Sequence, residues 1–283
     1  MTPWFKAASA SGETLAWETA SDWDAAQSES GVVHESVSNT DHSDASVVKQ
    51  GQSVSNPYLD ANLVGYWPLH EDSGSTAYGF GSVGNNGSAQ GDPTVNATGT
   101  RGTTGWNLDG SGTPHDHISV PHASSYAQTG TVSVELWVDW NGANSADNAQ
   151  GLISKAGSDA ADGFSVFYLT SNNEFRSRID GSGYAIGGSL STGLHHIVWT
   201  HDQGAETVYV DGSSVGSTTT TSLSTTNSEE LRIGCNTWSD SDGLNGVVQY
   251  AGLFDNALSS SEVQTLYDLT ASQSTLTTAK KEI

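Results

Sequence analysis

Basic residues are scarce in this chain: 9 Lys and Arg stand against 32 Asp and Glu, a formal net charge of −23 over 283 residues. That balance excludes nucleic acid as a partner, because displacing counterions from phosphates takes Lys and Arg. The nine His do not repair it, being mostly neutral at pH 7. A single cysteine, Cys235, excludes an intramolecular disulfide; in Leu231-Arg-Ile-Gly-Cys235 it reads as a small buried residue of a strand. No apolar run approaches the ~20 residues a spanning helix needs, so no membrane insertion is expected. Met1 to Lys6 lacks a charged region followed by an apolar stretch, and the expectation is a chain without an export signal. Also missing are a Gly-x-Ser-x-Gly elbow, a phosphate-binding Gly-rich loop and a dinucleotide fingerprint in a strand-to-helix setting.

What is abundant is Asp, Ser, Thr and Gly. Concentrated salt screens the self-repulsion of such a chain, and hydrated carboxylates keep it soluble. The composition therefore predicts a halophilic setting, with an acidic mesophilic surface as the alternative.

Residues 1–60 differ from the rest. Trp4, Phe5, Trp17 and Trp23 lie among small and acidic residues without a sustained period, and Ser30–His34 has room for one short strand. Ser36–Asn56 is polar and turn-rich, as a linker is. Disorder goes with few aromatics, so these residues predict an arm that docks on a partner, with a small independent subdomain as the alternative.

From Leu63 onward the chain reads as strands. Val132, Val134, Leu136, Val138 and Trp140 alternate with Ser133, Glu135, Trp137 and Asp139, giving one apolar and one mixed face. Phe164–Leu169 and Glu174–Ile179 flank a polar turn and predict a hairpin. Thr207–Val210 and Ser213–Val215 predict another around Asp211-Gly212, whose residues suit the positive φ of a type I′ turn. Ser259 with Glu262 forms a capping-box pattern ahead of Val263, Leu266 and Tyr267, and Leu258 supplies the hydrophobic staple. The expected architecture is all-β: an antiparallel β-sandwich over 61–270, one short C-terminal helix, an N-terminal extension and a mobile tail at 271–283.

Five phrases in this order carry a resemblance: Leu63-Val-Gly-Tyr-Trp-Pro-Leu69, Val132-Ser-Val-Glu-Leu-Trp-Val138, Leu194-His-His-Ile-Val-Trp-Thr200, Val208-Tyr-Val-Asp-Gly212 and Gly252-Leu-Phe-Asp-Asn-Ala-Leu-Ser259. Together they resemble the laminin-G-like jelly roll of the concanavalin A-like lectin and glucanase superfamily. The resemblance implies a fold that presents loops for recognition, usually of sugars, and a structural role for His195 and His196. It also raises a structural calcium, for which Glu71 would remain as a ligand. His70, Asn86 and Gln249 stand at positions that are acidic in the family, so that site is expected to be weakened and no cofactor is required. His115, Asp116 and His117, with His122 nearby, form a second candidate metal cluster, set against a solvated polar loop.

The superfamily's glucanases use same-face carboxylates for retaining hydrolysis. The nearest match here, Glu135 and Asp139, has Trp137 where the middle carboxylate would stand, and no catalytic residues are expected. Sugar binding instead needs an aromatic face with polar groups around it. Asn236, Trp238, Asp240 and Asp242 offer this in one polar loop, and Tyr184 in another, the alternative for each aromatic being that it folds back to cover a strand end. The functional expectation is a non-enzymatic surface or decoration protein of a virion, with a lectin-like jelly roll for host-surface glycan recognition or shell stabilisation and an assembly arm. Its expected partners are other virion structural proteins, further copies of itself and a host-surface glycan. A cellular carbohydrate-binding or adhesion module, extracellular in place, is the alternative, and a glycoside hydrolase the third.

Overall fold

In a computed structural model of the chain, the described residues are 4–5, 17–18, 62–99, 104–112, 114–143, 148–157, 161–237 and 242–279, with side chains described between 62 and 269. The chain divides into two compact units, Met1–Val54 and Ser55–Ile283. The dividing point falls inside the turn-rich stretch read as a linker. In the first unit β1 (Trp4–Phe5) pairs antiparallel with β2 (Trp17–Glu18), setting Phe5 opposite Trp17. Trp23 and the strand expected at Ser30–His34 lie outside the described residues.

The second unit opens with β3 (Leu63–Trp67), β4 (Thr76–Ala77), β5 (Gly87–Gln90), β6 (Thr94–Thr98), β7 (Thr104–Asp109) and β8 (His117–Val120). It continues with β9 (Thr131–Trp140), β10 (Ala149–Ala156), β11 (Gly163–Leu169), β12 (Glu174–Ile179), β13 (Ser182–Gly187) and β14 (Gly193–Asp202). β15 (Ala205–Val210), β16 (Ser213–Thr219), β17 (Leu231–Ile233), β18 (Asn245–Phe254) and α1 (Ser260–Ala279) complete it. One sheet runs β13-β12-β11-β10-β17-β8-β5-β4. The other runs β16-β15-β14-β9-β18-β7-β6, with β3 pairing the second half of β18 beside the half that β7 pairs. All described pairings are antiparallel, so the expected sandwich is what forms.

Alternation sets the layers. Val134, Leu136 and Val138 of β9, Ile197 and Trp199 of β14, Phe164 and Val166 of β11, and Ile118 of β8 share one buried cluster between the sheets. Each fully buried aliphatic side chain there contributes roughly 1.5–3 kcal/mol relative to exposure. The mixed face of β9 is buried as well: Ser133, Glu135 and Trp137 are covered. The cause is α1. Its Val263 and Leu266 join Leu63, Val198, Phe254 and Leu258 in a second apolar cluster, and Tyr267 stacks on Trp137 at 5.8 Å.

The cap of α1 is as predicted. Ser259 Oγ accepts the Glu262 N–H at 3.3 Å and Glu262 Oε2 accepts the Ser259 N–H at 2.7 Å. The helix is not short, however: it continues to Ala279, through residues read as a mobile tail. No Gly or Pro between Thr270 and Ala279 interrupts it.

Both predicted hairpins form, β11–β12 and β15–β16, the second with φ of 51° at Asp211 and 79° at Gly212. The same chemistry overturns one loop. Asp180 (φ 45°) and Gly181 (φ 86°) make a second Asp-Gly turn, so Ser182–Gly187 is a strand against β12 and no recognition loop.

Candidate binding face

The residues of the β13–β4 sheet that alternate with the core face away from the partner sheet. Register lines up five of them: Arg178 (β12) stands opposite Ser165 (β11), Ser165 opposite Ser154 (β10), Ser154 opposite Arg232 (β17), and Arg232 opposite Ser119 (β8). Strands lie ~4.8 Å apart, which puts the two arginines about 14 Å from each other with two hydroxyls between.

Those two hydroxyls face outward and yet are fully buried, because Asn236 and Thr237, just after β17, bond over them. Asn236 Oδ1 accepts the Ser165 hydroxyl at 2.7 Å, and Asn236 Nδ2 donates to Asp242 Oδ2 at 2.9 Å. Thr237 pairs its hydroxyl with Ser154 Oγ at 2.9 Å. Asp242 O accepts the Gly151 N–H at 2.7 Å. Only glycine fits at 151: a Cβ there would come within 2.6 Å of Asn236 N and Cys235 C. Arg232 ties Asn236 as well, its Nη1 donating to Asn236 O at 3.1 Å and its Nε to Glu230 Oε1 at 2.6 Å. Burial would raise the Glu230 carboxyl, but hydrogen bonds from Ser119 and Arg232 outweigh it and hold the group below its ordinary value. Asn236 is thus pinned to β11, and Asp242 to β10 and to Asn236.

On the β12–β13 side of Asn236 the face is polar and partly open. Arg176 is in register with Phe167, and Glu174 Oε1 receives its Nε at 2.8 Å and its Nη2 at 2.6 Å. Arg178 stands between Ser165 and Gly183, where an added Cβ would meet nothing within 4 Å.

Of the residues predicted for sugar binding, Asn236 and Asp242 meet here, bonded to each other. Trp238 and Asp240 lie outside the described residues. Tyr184 does not join them: it pairs with Ser177 on the inward side of β13 and packs against the core, because its segment is a strand. Arg176, Arg178 and Arg232 were missed. The available signal was their rarity, three of only four arginines falling on alternating strand positions.

The predicted metal residues are spent on the protein itself. Glu71 accepts the Tyr78 N–H at 2.8 Å and the Trp106 indole N–H at 3.0 Å. Asn86 Oδ1 accepts the Gly79 N–H at 3.0 Å, His70 is exposed and Gln249 is buried. His115 and His117 do not share a strand face, since β8 begins only at His117. His115 Nδ1 accepts the Gly243 N–H at 3.1 Å, and His117 Nδ1 lies 2.8 Å from the His115 carbonyl. Asp116 accepts the Asp92 and Asp109 amides, and burial pushes its carboxyl up. Among the described residues no group of three or more His, Cys, Asp or Glu is arranged around a common metal position.

A laminin-G-type family model, described as the concanavalin A-like lectin/glucanases superfamily, matches residues 109–264, more than half of the chain. The chain belongs to this superfamily. Solved structures share its fold at low identity. The sialidase of Trypanosoma rangeli, bound to a difluoro-KDN, is similar at a TM-score of 0.57 and 19% identity over 80% of this chain and 35% of the sialidase. Botulinum neurotoxin type C, whose cell entry depends on two ganglioside molecules, has a TM-score of 0.57 and 12% identity over 73% of this chain and 51% of that one. The binding domain of botulinum neurotoxin DC with SialylT has a TM-score of 0.56 and 14% identity over 74% of this chain and 51% of that one. The chain therefore spans about a third to a half of these proteins. None of the curated proteins compared with it matches.

The superfamily's name includes glucanases, which makes the setting of Glu135 relevant. Its side chain is fully buried on the helix-covered face: Oε1 lies 2.6 Å from His196 Nε2, and Oε2 accepts the Tyr250 hydroxyl at 2.7 Å. Trp137 packs on the same imidazole at 5.0 Å. The neighbouring His195 faces Asp211 instead, Nδ1 to Oδ2 at 2.9 Å.

Proposed function

We propose that the sandwich is a non-catalytic carbohydrate-recognition module, carried on the surface of a virion of a halophilic host and joined to it through the N-terminal unit. The observation that carries the recognition reading is the double anchoring of Asn236 and Asp242 across β10 and β11. It fixes Asn236 and Asp242, which flank Trp238 in the sequence, on an outward sheet face with hydrogen-bonding groups. Preorganised groups lower the ordering cost of binding. The ganglioside and SialylT named with the similar toxin structures support the same reading. The buried state of Glu135, already committed to His196 and Tyr250, supports a module without hydrolytic activity.

The virion part rests on the separate unit Met1–Val54, in which two aromatic-bearing strands pair, and on an acidic excess suited to concentrated salt. The unit would dock on other virion proteins or on further copies of this chain. Binding of the full-length protein to a glycan panel in molar salt tests recognition: Trp238→Ala should lose binding at unchanged thermal unfolding. A panel that captures nothing removes the recognition reading. The mass of full-length protein in molar salt tests assembly. A defined oligomer that Trp4→Ala with Trp17→Ala dissolves supports the arm, and a monomer in both cases removes it.

A further inference from the structure

We infer that the β12–β13 part of this face, centred on Arg176 and Arg178, recognises the acidic group of a negatively charged saccharide. The inference rests on the recognition reading above and adds the class of ligand.

The chain spends few cations, and spends them unevenly. It has four arginines against 32 acidic residues. Three of the four stand on the outward side of one sheet: Arg176 and Arg178 two residues apart on β12, and Arg232 in lateral register with Arg178 across two serines. Their roles divide. Arg232 is tied to Glu230 and to Asn236 O. Arg176 and Arg178 lie one strand further along the sheet than Ser165. Arg176 keeps 36% of its side chain exposed, and Glu174 orients it by taking Nε and Nη2 on a single carboxylate oxygen. A guanidinium has five donors, so the bond to Glu174 sets its plane without exhausting it.

The surroundings suit a sugar acid. The Gly183 side of Arg178 is open, and the buried Phe167, Ser165 and Asn236 give the two arginines a packed floor. The type of cation also fits. At a net charge of −23 the long-range field repels anions, and at molar salt the screening length is only ~3 Å. What survives is contact recognition, and the planar fork of Arg, able to bond both oxygens of a carboxylate, supplies it where Lys would not.

Equilibrium binding of the full-length protein in molar salt tests this, on a panel of sialylated, uronate-bearing and sulfated oligosaccharides with their neutral counterparts. The acidic members should bind at least tenfold more tightly than the neutral ones. Arg178→Gln should remove that preference, and Arg178→Lys, which keeps the charge and loses the fork, should recover only a minor part of it. Thermal unfolding of each variant separates lost binding from lost folding, and Arg176→Gln reads the same face if Arg178→Gln does not fold. Equal or tighter binding of the neutral members overturns the acidic preference and leaves carbohydrate recognition standing. Binding to no member of the panel overturns both.

Discussion

His196 Nε2 and Glu135 Oε1 lie 2.6 Å apart with both side chains fully buried, on the face of β9 and β14 that α1 covers. Tyr250 completes the arrangement from β18 by donating to the other carboxylate oxygen. Three strands are thereby joined by one polar knot beneath an apolar lid.

Removing one member strands the other. His196→Ala should destabilise the sandwich by about 1–3 kcal/mol, the usual cost of leaving a buried polar group short of its hydrogen-bond partner. Replacing Glu135 and His196 together with leucines should cost less than the sum of the two single changes. Urea unfolding of the four proteins measures the coupling, and purely additive losses would contradict it.

The His195–Asp211 pair predicts a pH dependence of its own. The hydrogen bond to Asp211 raises the His195 pKa, so its contribution is full below the ordinary value of about 6.5 and is lost as pH rises through the folded value. Burial pushes Asp211 up, but His195 and the His196 N–H prevail and lower it. Its contribution is therefore present above about 3.9 and lost as pH falls through the folded value. Asp211→Asn keeps the positive φ of 51° that Asn tolerates. In that variant the His195 titration, followed by NMR, should move to lower pH.

Lys155 is fully buried, and its Nζ donates to Asn227 Oδ1 at 2.6 Å and to Glu229 O at 2.6 Å. Desolvation outweighs the attraction of Glu229 and Asp162 and pushes its pKa down to about 8. The unfolded chain then holds the proton up to about 10.4, so stability should rise as pH climbs from 8 towards 10. Thermal unfolding across that window should show the rise in the natural chain and not in Lys155→Met. Equal slopes in the two would reject it.

The cap of α1 should be worth about 1 kcal/mol, so Ser259→Ala should lower stability by that amount. Chemical unfolding gives the number. Glycan binding should be unchanged, since the cap lies on the other sheet from Arg178.

The sequence by itself determined the strands, the turns and the helix start. Alternation in Val132–Trp140, the Asp211-Gly212 turn and the Ser259–Glu262 box act through neighbours within a few residues, and such local rules are written in order along the chain. It reached the sandwich too, because five phrases in sequence carried the family resemblance. It did not fix what each face would meet. Glu135 and Trp137 read only as part of a mixed face, and α1, more than 120 residues later, is what covers them. Tyr184 read as a loop aromatic because Asp180-Gly181 was not taken for a turn, although the same dipeptide was recognised at 211. His115 and His117 looked like a chelating pair only on the assumption of a straight strand. The row Arg178, Ser165, Ser154 and Arg232 belongs wholly to tertiary structure: it depends on the register of four strands, and β17 inserts beside β10 from far along the chain. Pairing partners and covering elements are chosen by burial summed over the whole molecule, and no local pattern carries that sum.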